Sequence, residues 1–192
     1  SISVMHAEAA LEQSGLAFLP LSALAPGAHN LLVLRSRLGV RNSAHSLVKM
    51  LDPFGGEGVL VAAATHPEFL DLMRNMLLAL DRRGILLRCS EGEPFANPKR
   101  RPRLEFIHDD RVDVLFEAEH DSLRALPHLP EAADAASTAV WIGRVLDRQV
   151  PLPKPIANQL ACCLFASGFA EDFSQAKAIV AVAATGRPAA AA

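Results

Sequence analysis

Several common routes to function are closed by what this chain does not carry. Only three cysteines occur, Cys89 and the neighbours Cys162 and Cys163. Adjacent cysteines rarely meet normal disulfide geometry and three give no paired framework, so a reducing, cytoplasmic setting is expected. No Cys-x-x-Cys or Cys/His spacing points to zinc. No stretch approaches the roughly 18 consecutive apolar residues of a membrane span, and no basic-then-apolar leader opens the chain, so it reads as soluble. No excess of positive charge sets up a global field: the formal net charge is −2, and any contact with a polyanion must come from local patches. Also missing are a glycine-rich phosphate loop, an ordered nucleophile–histidine–acid set and an internal repeat.

What is present is 192 residues, 51% of them hydrophobic, enough to bury a real core as one domain or one domain with a small appendage. Apolar spacing predicts a helix over 5–13, and a short apolar run, 16–20, ends at Pro20. Pro26-Gly27 reads as a turn. Two helical stretches follow, one through about Leu38 and one from about Val40 to Leu51, with Gly39 as the break and Pro53 as the stop. The pattern then becomes strand, helix, strand. Val59-Leu60-Val61 and the alanines after it suit a buried strand. Thr65 reads as the cap of a helix with Pro67 in its first turn, its apolar face being Phe69, Leu72, Met73, Met76 and Leu80. Ile85-Leu86-Leu87 is a second buried strand, and a unit of this length favours a parallel pair with a right-handed crossover. After a polar loop, alternation at Leu104, Phe106 and at Val112, Val114, Phe116 around Asp109-Asp110 predicts a hairpin. Three helices, near 133–147, 153–166 and 174–182, finish the chain, and 186–192 reads as a flexible tail.

Two basic elements stand out. Arg37, Arg41, His45 and Lys49 are spaced four apart, which on a continuous helix puts them on one face opposite Val40, Ala44, Leu47, Val48 and Leu51. Like charges at that spacing repel by roughly 0.2–0.5 kcal/mol per pair. The stripe is therefore either an anion-binding face or a solvated one whose side-chain stems cover apolar surface. The other element is the proline-pinned loop from Glu91 to Arg103, with Lys99, Arg100, Arg101 and Arg103 close together. It follows a buried parallel-type strand, where α/β folds gather ligands, and arginine suits phosphate through its planar, two-pronged donor geometry. The alternative is again a solvated loop. Glu91 and Glu93 could hold Mg²⁺ through a bound phosphate. His66 follows a strand end, where a ligand contact and a structural role both fit. Cys162 and Cys163 read as core thiols, and Trp141 as packing.

Several strings carry a family resemblance. Arg35-Ser36-Arg37-Leu38-Gly39-Val40-Arg41 resembles the R-x-x-L-G-x-R turn of anthranilate phosphoribosyltransferases. LGVRNSAHSLVK (38–49), THPEF (65–69), EGEPFANPKRRPR (91–103) and QLACCLFASG (159–168) are similar to the YbiB-like branch of that superfamily, a branch described as a glycosyl transferase family or as DNA-binding proteins. The resemblance implies an α/β fold: the C-terminal portion of a phosphoribosyltransferase fold, with a mixed, mostly parallel sheet flanked by helices. Residues 1–55 would hold a linker strand or helix and part of the small helical domain, and 56–185 the α/β domain. The chain would then be a fragment lacking the first helices, the first part of the sheet and the glycine-rich loop that cradles phosphoribosyl pyrophosphate in the enzymes. The resemblance also implies a homodimer in the full-length form, and an aromatic-acid contact at Arg35.

The enzymes' Asp-Glu pair, which holds Mg²⁺ on the pyrophosphate, is not present here. Its loop offers Glu91 and Glu93 followed by Lys99, Arg100, Arg101 and Arg103. Three readings follow. In the first, the chain is non-catalytic, needs no cofactor and binds DNA or RNA with little sequence preference, through Arg37, Arg41, His45 and Lys49 on one surface and Lys99–Arg103 on another. In the alternative, a Mg²⁺-dependent phosphoribosyl or glycosyl transfer uses Arg35 for the acceptor and Glu91 and Glu93 for the metal, with phosphoribosyl pyrophosphate as donor. A scaffold for an acidic protein surface is a third possibility.

Overall fold

The computed structural model describes residues 3–89, 93–121, 129–130, 132 and 134–185. The chain divides into two compact units, Ser1–Gly55 and Gly56–Ala192. The tail expected at 186–192 lies outside the described residues.

Among its described residues the first unit is helical, with no strand. It contains α1 (Val4–Ser14), α2 (Leu21–Leu24), α3 (Pro26–Val33), α4 (Arg35–Leu38), α5 (Ala44–Leu47) and a 3-10 turn over Val48–Met50. Ser3 caps α1 through its hydroxyl, which accepts from the backbone N–H of His6, and Gly15 ends it in the left-handed region at φ 69°. Pro26 does not turn the chain but occupies the first turn of α3, where its missing N–H costs nothing and its fixed φ suits a helix.

The expected helix from Val40 to Leu51 is replaced by a broken path. Gly39 closes α4 at φ 71° with its N–H on the Arg35 carbonyl, a backbone state that glycine adopts without strain. Asn42 then organises the next turn. Its Oδ1 accepts from the Ala44 N–H at 3.0 Å, while its Nδ2 donates to the Leu31 carbonyl at 2.8 Å. An Asx turn of this kind competes with helix formation, so regular structure resumes only at Ala44.

The second unit is a mixed sheet flanked by helices. Its strands β1 (Leu60–Ala64), β2 (Gly84–Arg88), β3 (Leu104–His108) and β4 (Arg111–Phe116) lie in the order β1-β2-β3-β4. The crossover expected from the apolar pattern is there: α6 (Pro67–Ala79) links β1 to a parallel β2. The other two pairings, β2 with β3 and β3 with β4, are antiparallel. The mostly parallel sheet inferred from resemblance is thus parallel only at β1–β2 within these four strands. After β2 the chain returns through a loop rather than a helix, and a hairpin follows. Asp109 and Asp110 make that hairpin turn with φ 46° and 54°, the primed geometry that matches strand twist.

The strands alternate sides as their sequence dictates. Ile85, Leu87, Leu104 and Phe106 pack with Cys162 and Ala166 of α8 (Lys154–Ala166). On the opposite face Met73 and Leu77 of α6 are buried. A smaller cluster, Ala161, Ala170, Ala176 and Val180, joins α8 to α9 (Phe173–Thr185), and small residues allow the two helices to approach closely. The remaining helix, α7 (Ala135–Leu146), is capped by Asp134, whose carboxylate accepts from the Ser137 N–H at 2.8 Å.

Candidate anion site at the strand ends

Ligands of α/β sheets collect at the carboxyl ends of parallel strands, and this end of β1 and β2 opens into a cavity of about 490 Å³. Thr65 and the pair Arg88 and Cys89 reach it from the strand ends; Asn97, Arg100 and Arg101 reach it from the loop after β2, and Glu119 and His120 from the segment after β4. Arg88 is exposed, and its Nε donates to the Thr65 carbonyl at 3.1 Å, which ties the end of β2 to the end of β1. Thr65 does not cap α6 as expected. That position belongs to His66, which makes no side-chain capping bond.

The cations of the loop are not equivalent. The Arg101 guanidinium pairs with the Glu119 carboxylate at 3.3 Å, donates through Nε to the Glu117 carbonyl at 3.1 Å and lies 4.8 Å over the Phe116 ring. Arg103 donates to Glu105 at 2.8 Å and pairs with Glu117 at 3.5 Å. These two arginines are spent on internal acids. Lys99 and Arg100 are exposed and form no ion pair among the described residues. A turn presents them: the Asn97 Oδ1 accepts from the Lys99 N–H at 2.9 Å and the Asn97 carbonyl from the Arg100 N–H at 3.1 Å.

Two buried polar groups hold this arrangement. Glu105, 5% exposed, receives Arg74 at 2.8 and 3.3 Å as well as Arg103. Hydrogen bonding to Glu105 pushes the Arg74 guanidinium above its ordinary range. Gln159, buried in α8, grips the loop: its Nε2 donates to the Pro94 carbonyl at 2.8 Å and its Oε1 accepts from the Ala96 N–H at 2.6 Å. Ala96 is fully buried in the core. Of the two thiols expected in the core, Cys162 is buried there and Cys163 is half-buried. Burial pushes Cys162 up to about 12 and moves Cys163 in the same direction.

The sequence-predicted stripe is not one face. Arg37 sits on α4, Arg41 in the break after Gly39, His45 on α5 and Lys49 in the 3-10 turn, because the left-handed glycine and the Asn42 turn reset the helical phase. Arg37 and Arg41 are exposed and His45 and Lys49 half-buried. The His45 ring is turned to its own chain, with Nδ1 3.2 Å from the Asn42 N–H. Arg35 is exposed at the start of α4. Glu91 lies outside the described residues; Glu93 is exposed. Among the described residues no group of three or more His, Cys, Asp or Glu side chains is gathered that could hold a metal ion. The sequence reading missed Arg88, His120 and Gln159. Arg88 had a signal, as the first charge after an apolar parallel strand; Gln159 had one as the polar residue in the apolar run of α8.

No family model matches the chain. It is 37% identical over 176 residues to the uncharacterized protein YbiB of Escherichia coli (strain K12), a match that takes in 91% of this chain and 54% of YbiB. Its fold resembles the crystal structure of anthranilate phosphoribosyltransferase from Thermus thermophilus, with a TM-score of 0.67 and 20% identity, covering 93% of this chain and 54% of that one. The chain thus spans about half the length of the relatives it matches. Among the described residues no helix is long and apolar enough to cross a membrane.

Proposed function

The chain is YbiB-like and has the fold of the anthranilate phosphoribosyltransferases; from that premise we propose that it binds DNA or RNA through phosphate contacts at the strand ends, with little sequence preference and without catalysis. The observation that carries this reading is the cavity in which Arg88 and Arg100 are exposed, without acidic partners among the described residues, while Arg101 is already neutralised by Glu119. Lys99, next to Arg100 in the chain, is exposed as well. A phosphate approaching from solvent meets exposed guanidinium groups, each able to give two parallel hydrogen bonds. Backbone contacts of this kind carry no sequence information. The overall charge of −2 leaves affinity to the local patch, so it is sensitive to salt. The cations of the first unit, which share no helical face, are left out of the site.

The test is a salt titration of single-stranded and duplex DNA binding, with and without Mg²⁺ and phosphoribosyl pyrophosphate. The expected result is an affinity that falls steeply with salt and ignores both small ligands. An Arg88→Ala/Arg100→Ala variant should lose about one unit of salt slope per residue removed. Absent DNA binding together with Mg²⁺-dependent uptake of the sugar pyrophosphate would overturn the reading and return the chain to the transferases, with Arg35 as the next residue to change.

A further inference from the structure

We infer that Glu119 is a built-in competitor of the anion site: its carboxylate occupies Arg101 in place of a phosphate and so weakens the hold on nucleic acid. This rests on the nucleic-acid reading above. Arg101 and Glu119 line the strand-end cavity together with the exposed Arg88 and Arg100. Both oxygens of the Glu119 carboxylate go to Arg101. One stands 3.3 Å from the guanidinium, and the other accepts from the Arg101 N–H at 3.1 Å. The pair is not sealed in the core. Its side chains keep 18% and 30% of their surface exposed, the carboxylate being the more open. An anion entering the cavity therefore meets Glu119 as a like charge among the arginines.

The Arg101 guanidinium does not need the Glu119 charge to stay where it is. Its Nε donates to the Glu117 carbonyl at 3.1 Å, and it lies 4.8 Å over the Phe116 ring. The Glu119 N–H donates to the Arg101 carbonyl at 2.9 Å, so the two backbones are tied without the carboxylate. Neutralising Glu119 thus releases a third arginine that is already in place, and a donor fixed beforehand costs little to order. A charge-assisted bond to phosphate is stronger than a neutral one, and each added phosphate contact steepens the salt dependence. Glu117 supplies the comparison. It carries the same charge two residues away, but it pairs with Arg103 and is not a lining residue of the cavity.

Fluorescence anisotropy with a labelled oligo-dT strand, titrated with salt, tests this on wild type, Glu119→Gln, Glu117→Gln and Arg101→Ala/Glu119→Gln. The glutamine oxygen can still accept from the Arg101 N–H, so Glu119→Gln removes the charge and keeps the loop. It is expected to tighten binding on the order of ten-fold at low salt and to add about 0.7 unit to the salt slope, the single-strand value for one contact. Glu117→Gln should change affinity by less than about two-fold, its charge being screened from the site. The double variant should lose the gain. An equal gain in Glu119→Gln and Glu117→Gln, no gain in Glu119→Gln, or a gain that survives the loss of Arg101 overturns the competitor role and leaves the nucleic-acid reading standing. No binding by the wild type or any variant overturns both.

Discussion

Two sets of cations, similar on paper, have different fates in the two units. In the first unit Arg37, Arg41, His45 and Lys49 keep a regular spacing but occupy four different backbone settings. Only Ala7 and Ala44 are buried among its described apolar side chains, so little tertiary packing is available to hold a long amphipathic helix together against Gly39 and the Asn42 turn. In the second unit the cations between Lys99 and Arg103 have no periodicity, yet the loop that carries them is held: Arg103 bonds to Glu105 of β3, Arg101 to Glu119 after β4, and Ala96 to Gln159 of α8. Regular spacing makes a surface only where a continuous element carries it, and most helical stability comes from packing of the apolar face. An irregular loop becomes a site when a core on its inner side fixes its backbone.

Breaking the second unit's anchors should have the largest effect. Glu105→Ala would leave Arg74 and Arg103 without their buried carboxylate, and a loss of about 2–3 kcal/mol in urea unfolding is expected, below the 3–5 kcal/mol of a fully buried pair because Arg103 is half-exposed. A change under about 0.5 kcal/mol would mean that these arginines find other acids and that the buried pair is not what sets the loop. Gln159→Leu keeps the volume in α8 but strands the Ala96 N–H and the Pro94 carbonyl. It should cost about 1–2 kcal/mol, and hydrogen exchange at Ala96 should accelerate while that of β2 does not. Equal acceleration in both would show that the amide supports the whole sheet and not the loop. The smallest effect is expected from Arg37→Ala/Arg41→Ala, which should move the salt slope of DNA binding by less than about half a unit. A fall of about two units would restore the first unit's cations to the site and erase the contrast drawn between the two sets.

The crossover from β1 through α6 to β2 and the Asp109-Asp110 hairpin were legible from residue order because their causes are local. Apolar runs, a proline in the first helical turn and alternation across a tight turn constrain residues a few positions apart. The break at Gly39 was legible too, but the helix expected from about Val40 yields to the Asn42 turn and begins only at Ala44. Nor does residue order separate the four loop cations, of which Arg101 and Arg103 are paired with acids.

By itself, the sequence determined that a strand–helix–strand unit and a hairpin form here, and that a basic, proline-pinned loop follows the second parallel strand. Only the tertiary structure decided which charges remain available. Arg74 meets Glu105 across 31 positions and Ala96 meets Gln159 across 63, and Arg101 is cancelled by Glu119 across 18. A charge is free or spent according to what the fold brings within hydrogen-bond reach. Pairings at those separations are set by sheet order and helix packing, which no spacing within the loop encodes.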